Sequence, residues 1–129
     1  ELRVDMAPDG HFWAVASDNG VKTRMLIDSG ATITAVSEQT AREANIDKAS
    51  TLTPVMLHTA NGVATAETGS VDELRVGNIV ARNLRVVTAP GLGELNVLGM
   101  NFLSKLQSWR VEGRTLILVP HHPQGAAKS

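Results

Sequence analysis

Apolar and polar positions alternate along most of this chain, which is the two-residue period of half-buried strands. Residues 11–17 (HFWAVAS) and 21–27 (VKTRMLI) read as two strands. Asp18-Asn19-Gly20 lies between them, and Asn-Gly at such a junction predicts a tight hairpin because both central residues must take positive φ. Residues 32–36 (TITAV) are β-branched and apolar and predict a third strand. Ser37 then suits a helix N-cap, and residues 38–44 (EQTAREA) are good helix formers with Glu38 in the first turn. The helix should end near Asn45. Strand character resumes over residues 52–58, and Asn61-Gly62 signals a second hairpin. Residues 71–76 and 79–87 alternate around a Gly77-Asn78 turn. After a loop at 89–94, residues 95–99 (LNVLG) form a short apolar strand. Residues 100–106 have helical spacing, with Met100, Leu103 and Leu106 on one side. A closing hairpin joins Trp109–Val111 to Leu116–Val119 around Glu112-Gly113-Arg114. The stretch from His121 to Ser129 reads as a flexible tail. The pattern predicts one all-β domain over residues 1–120 with two short helices.

Bulk properties narrow the function. A chain of 129 residues suits one domain, and 43% hydrophobic content is enough for a core. The net charge of −1 gives no electrostatic reason to bind nucleic acid or an anionic membrane. Two Phe, two Trp and no Tyr leave few platforms for stacking bases. The absence of cysteine removes disulfides, thiolate catalysis and Cys-ligated zinc. No apolar run reaches the ~18 residues needed to span a bilayer. The first residue is Glu1 rather than Met, which suggests a piece of a longer protein with a targeting or anchoring segment ahead of it.

Among the candidate chemistries, Ser29 lacks the Gly-x-Ser-x-Gly setting of a nucleophile elbow. His11 and His58 read as surface or half-buried polar residues. His121 and His122 are adjacent, sit between Pro120 and Pro123, and make a poor metal site. The loop APGLGE has neither the lysine nor the strand–helix setting of a phosphate cradle. What remains is residues 26–31 (LIDSGA), where a carboxylate leaves an apolar strand and enters a turn. Alone, Asp28-Ser29-Gly30 would be an ordinary turn.

In context, Leu26-Ile27-Asp28-Ser29-Gly30-Ala31 resembles the active-site motif of aspartic proteases. Val97-Leu98-Gly99 resembles the apolar-apolar-Gly motif that lies beneath the active-site loop in that family, followed by a short helix. The hairpin His58-Thr59-Ala60-Asn61-Gly62 stands between the two, where the family carries its flap. Order and spacing resemble a retropepsin-like domain over roughly residues 10–119, of a bacterial branch. The resemblance implies a closed β-barrel or sandwich with one lobe per chain. It implies that Asp28 is catalytic, that Ser29, Gly30 and Ala31 support the loop, and that residues 58–62 cover an extended peptide. It implies no metal and no organic cofactor.

Peptide hydrolysis by this route needs two carboxylates, one ionised and one protonated. None of the other aspartates, at 5, 9, 18, 47 and 72, repeats the Asp-Ser-Gly motif. The chain is also too short for two such lobes. The protease reading therefore requires a C2 homodimer that places Asp28 of each copy on the axis. Leu2–Val4 and Leu116–Val119 are the segments that could serve as terminal dimer strands. A non-catalytic peptide-binding or dimerisation module of the same fold is the alternative, and a subunit of a larger β assembly is a third reading. Bacterial relatives of this type are often tethered by an N-terminal membrane segment, so the resemblance implies a periplasmic or other extracytoplasmic location. This fragment itself makes no membrane contact on that reading.

Overall fold

The computed structural model describes residues 1–48, 55–59, 62–88 and 93–121. In chain order the elements are β1 (Leu2–Asp5), β2 (Trp13–Asp18), β3 (Val21–Ile27), β4 (Thr34–Ala35), α1 (Glu38–Glu43), β5 (Asp47–Lys48) and β6 (Val55–Thr59). They continue as β7 (Gly62–Val76), β8 (Ile79–Thr88), β9 (Val97–Leu98), α2 (Met100–Leu103), β10 (Ser108–Glu112) and β11 (Thr115–Val119).

Turn chemistry sets the hairpins. Asn19 and Gly20 take φ of 50° and 91° between β2 and β3, the two positive values that a type I′ turn demands. The β7–β8 and β10–β11 hairpins instead put glycine first in a two-residue loop, with Gly77 at φ 59° and Gly113 at φ 63°. β6 pairs with β7 from Val55↔Ala66 to Thr59↔Gly62, so Gly62 opens a strand instead of closing the turn. Residues 60 and 61, expected at the tip of this hairpin, lie outside the described residues, as does the expected tail beyond His121.

Six strands run in the order β2-β3-β9-β4-β8-β7, and pairing of β2 with β7 closes the ring. The fold is therefore all-β, a closed six-strand barrel with two short helices. β5 and β6 add to β7 outside the ring. Met25, Leu74, Leu84, Leu98, Phe102 and Leu103 fill the core. On β7 the buried positions switch from Val71 to Leu74 and Val76, and on β8 from Ala81 to Leu84 and Val86. The switch occurs at one level of the ladder, where Asn83 takes φ 52° and resets the alternation.

Two predicted strands are shorter than their apolar runs. Only Thr34–Ala35 of residues 32–36 and Val97–Leu98 of residues 95–99 are paired. The carbonyls of Ala31 and Thr32 accept the N–H groups of Met100 (2.7 Å) and Asn101 (3.1 Å) at the start of α2, so they are taken out of any ladder. Ser37 caps α1 as expected, accepting from Thr40 N at 3.1 Å. β5 had no clear signal in the sequence.

β1, β11 and β10 form a separate three-stranded sheet. Leu2, Arg3 and Val4 pair with Leu118, Ile117 and Leu116 of the same chain. The two segments expected as dimer strands are thus partners of each other within one chain. β11 lies between β1 and β10, so only the outer edges of those two strands are open in this sheet.

Candidate active site

The site sits where β3 ends. β9 runs parallel to β3 and antiparallel to β4, so it lies between two strands that are neighbours in sequence. This insertion gives the Asp28 loop its floor. Asp28 N donates to the Leu98 carbonyl at 3.0 Å, which continues the β3–β9 pairing one residue into the loop. Ala31 N then donates to the Asp28 carbonyl at 3.1 Å and closes a four-residue turn.

The carboxylate is oriented by the turn itself. Gly30 N donates to Asp28 Oδ1 at 2.8 Å, a charge-assisted bond that fixes the direction of the carboxylate. A Cβ at residue 30 would stand 3.1 Å from that oxygen, which explains glycine beside the aspartate. Asp28 is half-buried, and Ser29 and Gly30 are exposed. Leu26, Ala31 and Ile33 pack against a small apolar layer of Ala35, Ala66, Val87 and Val97. The loop thus rests on apolar side chains while its polar apex faces outward.

Val97-Leu98-Gly99 lies beneath the loop. Gly99 is required by closeness rather than by φ. A Cβ there would meet the Ala31 carbonyl oxygen at 2.7 Å and the Ile33 carbonyl carbon at 2.8 Å. Backbone atoms cannot yield as a flexible side chain can, so any larger residue pushes the loop away from its floor.

Sequence reasoning missed the lock on this assembly. Thr34 Oγ1 accepts from Gly99 N (3.1 Å) and donates to Asn101 Oδ1 (2.8 Å). Asn101 Oδ1 also accepts from Thr34 N (2.8 Å), and Asn101 Nδ2 donates to the Arg85 carbonyl (2.7 Å). One buried hydroxyl and one amide therefore tie β4, β8, β9 and α2 together. Thr34 was read only as a β-branched strand residue. The available signal was a threonine in an apolar run and an asparagine in an apolar helix, both of which need partners once buried.

The remaining predicted residues are placed as follows. His58, Thr59 and Gly62 belong to the β6–β7 hairpin by backbone pairing. His11 is exposed, and its backbone N–H donates to Asp9 Oδ1 at 2.9 Å. Among the described residues, no group of three or more His, Cys, Asp or Glu could hold a metal ion. Among the same residues, no helix is long and apolar enough to cross a membrane.

This barrel, with a loop-borne aspartate above an apolar-apolar-Gly strand, is the architecture of retropepsin-like aspartic proteases. The family model for gag-polyprotein putative aspartyl protease matches residues 15–105, and the chain belongs to that family. A solved structure of a retropepsin-like aspartic protease from Rickettsia conorii superposes with a TM-score of 0.77 at 26% identity, covering 91% of this chain and 88% of that one. EIAV protease, solved with the inhibitor HBY-793, shares the fold with a TM-score of 0.63 at 14% identity, covering 78% and 91%. Among curated sequences, an uncharacterized protein in the cobV 5′ region of Sinorhizobium sp is 36% identical over 108 residues, 83% of this chain and 46% of its own length. The uncharacterized protein RP867 of Rickettsia prowazekii (strain Madrid E) is 26% identical over 118 residues, 92% of this chain and 51% of its own. The chain thus spans about half the length of the curated relatives it matches.

Proposed function

We propose that this chain is an aspartic endopeptidase whose active site is completed by a second copy. The observation that carries this reading is the Asp28 carboxylate, which accepts from the Gly30 N–H while the Asp28 backbone N–H is anchored on the Leu98 carbonyl at the end of β3, half-buried but open at the loop apex. One chain supplies a single such aspartate. A twofold axis through the loop apex would bring two carboxylates to roughly 3 Å, where one proton is shared because both cannot ionise together.

The chemistry follows from that pair. The ionised Asp28 takes a proton from water as the water oxygen attacks the scissile carbonyl carbon. The protonated Asp28 gives its proton to the carbonyl oxygen. Collapse of the tetrahedral intermediate breaks the C–N bond as the first carboxyl delivers its acquired proton to the leaving nitrogen and one hydroxyl of the diol returns its proton to the second carboxylate, which leaves a carboxylic acid, a free amine and the starting pair of one ionised and one protonated Asp28. Ser29, exposed beside the carboxylate, supplies a hydroxyl that bonds across the axis and fixes the two loops. The β6–β7 hairpin closes over an extended peptide, whose backbone pairs with strand edges. An extracytoplasmic place of action belongs to the same proposal and rests on the family resemblance alone.

The test is cleavage of a mixed peptide library at mildly acidic pH. Wild type should release products at a rate that rises faster than linearly with enzyme concentration, because the monomer holds half a site. Adding excess Asp28→Asn should suppress wild type by forming mixed dimers. If excess variant leaves the wild-type rate unchanged, the shared site is refuted.

A further inference from the structure

β10 stands at the edge of the three-stranded sheet, with β11 on one side and no described residue paired on the other. Gly113 and Arg114 form the hairpin loop, so Glu112 and Thr115 are the bonded pair that closes it. Alternation from that pair turns the N–H and C=O groups of Val111 and Trp109 to the open side. Such an edge is a template for another strand. The outer side of β1 lies closer to the barrel, because Leu2 packs against the β7–β8 turn, its Cδ1 only 2.8 Å from where a Cβ on Gly77 would stand.

The two faces of β10 differ. Trp109 and Val111 share a face with the buried Leu118 and Leu116, their partners on β11. Trp109 packs on the core, but Val111 is 50% exposed, an apolar side chain on a strand that overhangs the barrel. Arg110 and Glu112 share the other face, where Arg110 Nε donates to Glu112 Oε2 at 2.7 Å in an exposed pair. Two backbone bonds join this end of the sheet to the catalytic loop. Met6 N donates to the Arg114 carbonyl at 2.8 Å, and Ile27 N, next to Asp28, donates to the Phe12 carbonyl at 2.9 Å.

We propose that β10 pairs antiparallel with β10 of a second copy, with Val111 opposite the partner's Val111 on the twofold axis that completes the active site. The inference rests on the protease reading above and names the surface that delivers the second Asp28. A second copy fits because Arg110-Val111-Glu112 is complementary to itself. A twofold at Val111 sets Arg110 opposite the partner's Glu112, and by symmetry Glu112 opposite the partner's Arg110. A twofold at Arg110 or at Glu112 sets like charges face to face instead. The outward N–H and C=O of Val111 then meet the same two groups of the partner's Val111, a bonded pair across the axis. On the apolar face the two exposed valines cover each other. Trp109 comes opposite the partner's Gly113, where no side chain stands in its way. The charged face gains a ring of two arginines and two glutamates.

Sedimentation velocity over a concentration series tests this. Arg110→Glu and Glu112→Arg each leave β10 with charges of one sign, so each variant should self-associate about tenfold or more weakly than wild type. Mixed in equal amounts, the two variants oppose unlike charges at both positions, and the dimer constant should return to within about threefold of wild type. A pairing confined to one chain cannot produce this rescue. A second arm uses Val111→Cys, in a chain that has no other cysteine. A bonded antiparallel pair holds its Cα atoms about 5.5 Å apart, within disulfide range, so the variant should oxidise to a covalent dimer. Val15→Cys, also on an exposed strand position, should not. This arm also reads an association too weak to sediment. Self-association that ignores both charge reversals, failure of the mixture to recover it, or equal cross-linking of Val111→Cys and Val15→Cys overturns the proposal. Peptide cleavage by the same samples separates it from the protease reading. If the mixture dimerises like wild type and no sample cleaves a peptide, the interface stands and the protease reading fails. If cleavage rises faster than linearly with concentration in wild type and identically in both variants, the protease reading stands and this interface fails.

Discussion

Two aspartates bracket the β2–β3 hairpin and meet opposite fates. Asp28, at the far end of β3, is half-buried, and its carboxylate accepts from Gly30 N. Asp18, the last residue of β2, is fully buried, and neither carboxylate oxygen has a hydrogen-bond partner. Burial pushes the Asp18 carboxyl up to about 6. Its neighbours across the ladders are Val21 and Leu74, which offer it nothing polar. The same side chain is thus an oriented, partly accessible carboxylate at one end and a destabilising buried carboxyl at the other. What separates them is whether a backbone N–H is aimed at the carboxylate.

The largest expected effect breaks the comparison at Asp28. Asp28→Asn should lower peptide cleavage by roughly 10⁴-fold or more, since in the proposed mechanism it removes the group that acts directly on the reacting atoms. Thermal unfolding should be little changed, because Asn can still accept from Gly30 N.

Asp18 should control the pH dependence of stability instead. Its native pKa of about 6 lies above the ordinary 3.8. Between these values the native state binds more protons than the unfolded state, so stability falls as pH rises. The loss is complete above about pH 6 and amounts to about 3 kcal/mol. Urea unfolding from pH 4 to 7 should show this decline in wild type and lose it in Asp18→Asn. The exposed Asp9 and Glu112 are shifted downward, Asp9 by the His11 backbone N–H and then Trp13, Glu112 by Arg110, and are common to both proteins, so the difference isolates Asp18. Parallel curves for the two proteins would refute the assignment.

Gly99→Ala sharpens the comparison from below the loop. The added methyl would press on the Ala31 and Ile33 backbone, at a cost of about 1–3 kcal/mol. Cleavage should fall further than stability alone explains, roughly 10²-fold, because the carboxylate is displaced. Unaltered cleavage would show that the floor does not position Asp28.

The smallest effect is expected at Thr34. Thr34→Val removes the hydroxyl bonded to Gly99 N and Asn101 Oδ1 and should destabilise by about 1–2 kcal/mol, while Thr34→Ser should recover most of it. Chemical denaturation of the two variants checks the order.

Particular residues show how much could be read in advance. Asn19-Gly20, Ser37 and Gly77 announced their turn or cap because each acts within a few residues. The motifs at Asp28 and Val97 were legible as patterns, and their order along the chain resembled one family. Asp18 was read as part of a turn, yet β2 alternates Ala14, Ala16, Asp18 toward the core. Period two carried that signal, but the turn chemistry of Asp18-Asn19-Gly20 masked it. The stacking of Trp13 with Arg24 required knowing that β2 and β3 pair in the observed register.

By itself, the sequence determined the strand period, the hairpin turns, the helix cap and a lone aspartate in a turn with the glycine it needs. These depend on local φ preferences and on bonds spanning two to four residues. Only the tertiary structure decided that β9 slides between β3 and β4, and that Thr34 and Asn101, 67 residues apart, lock the loop. It also decided that one hairpin carries an oriented, accessible carboxylate at one end and an unpartnered buried one at the other. Such contacts form only after long loops close, and their partners are chosen by the shape of the whole barrel.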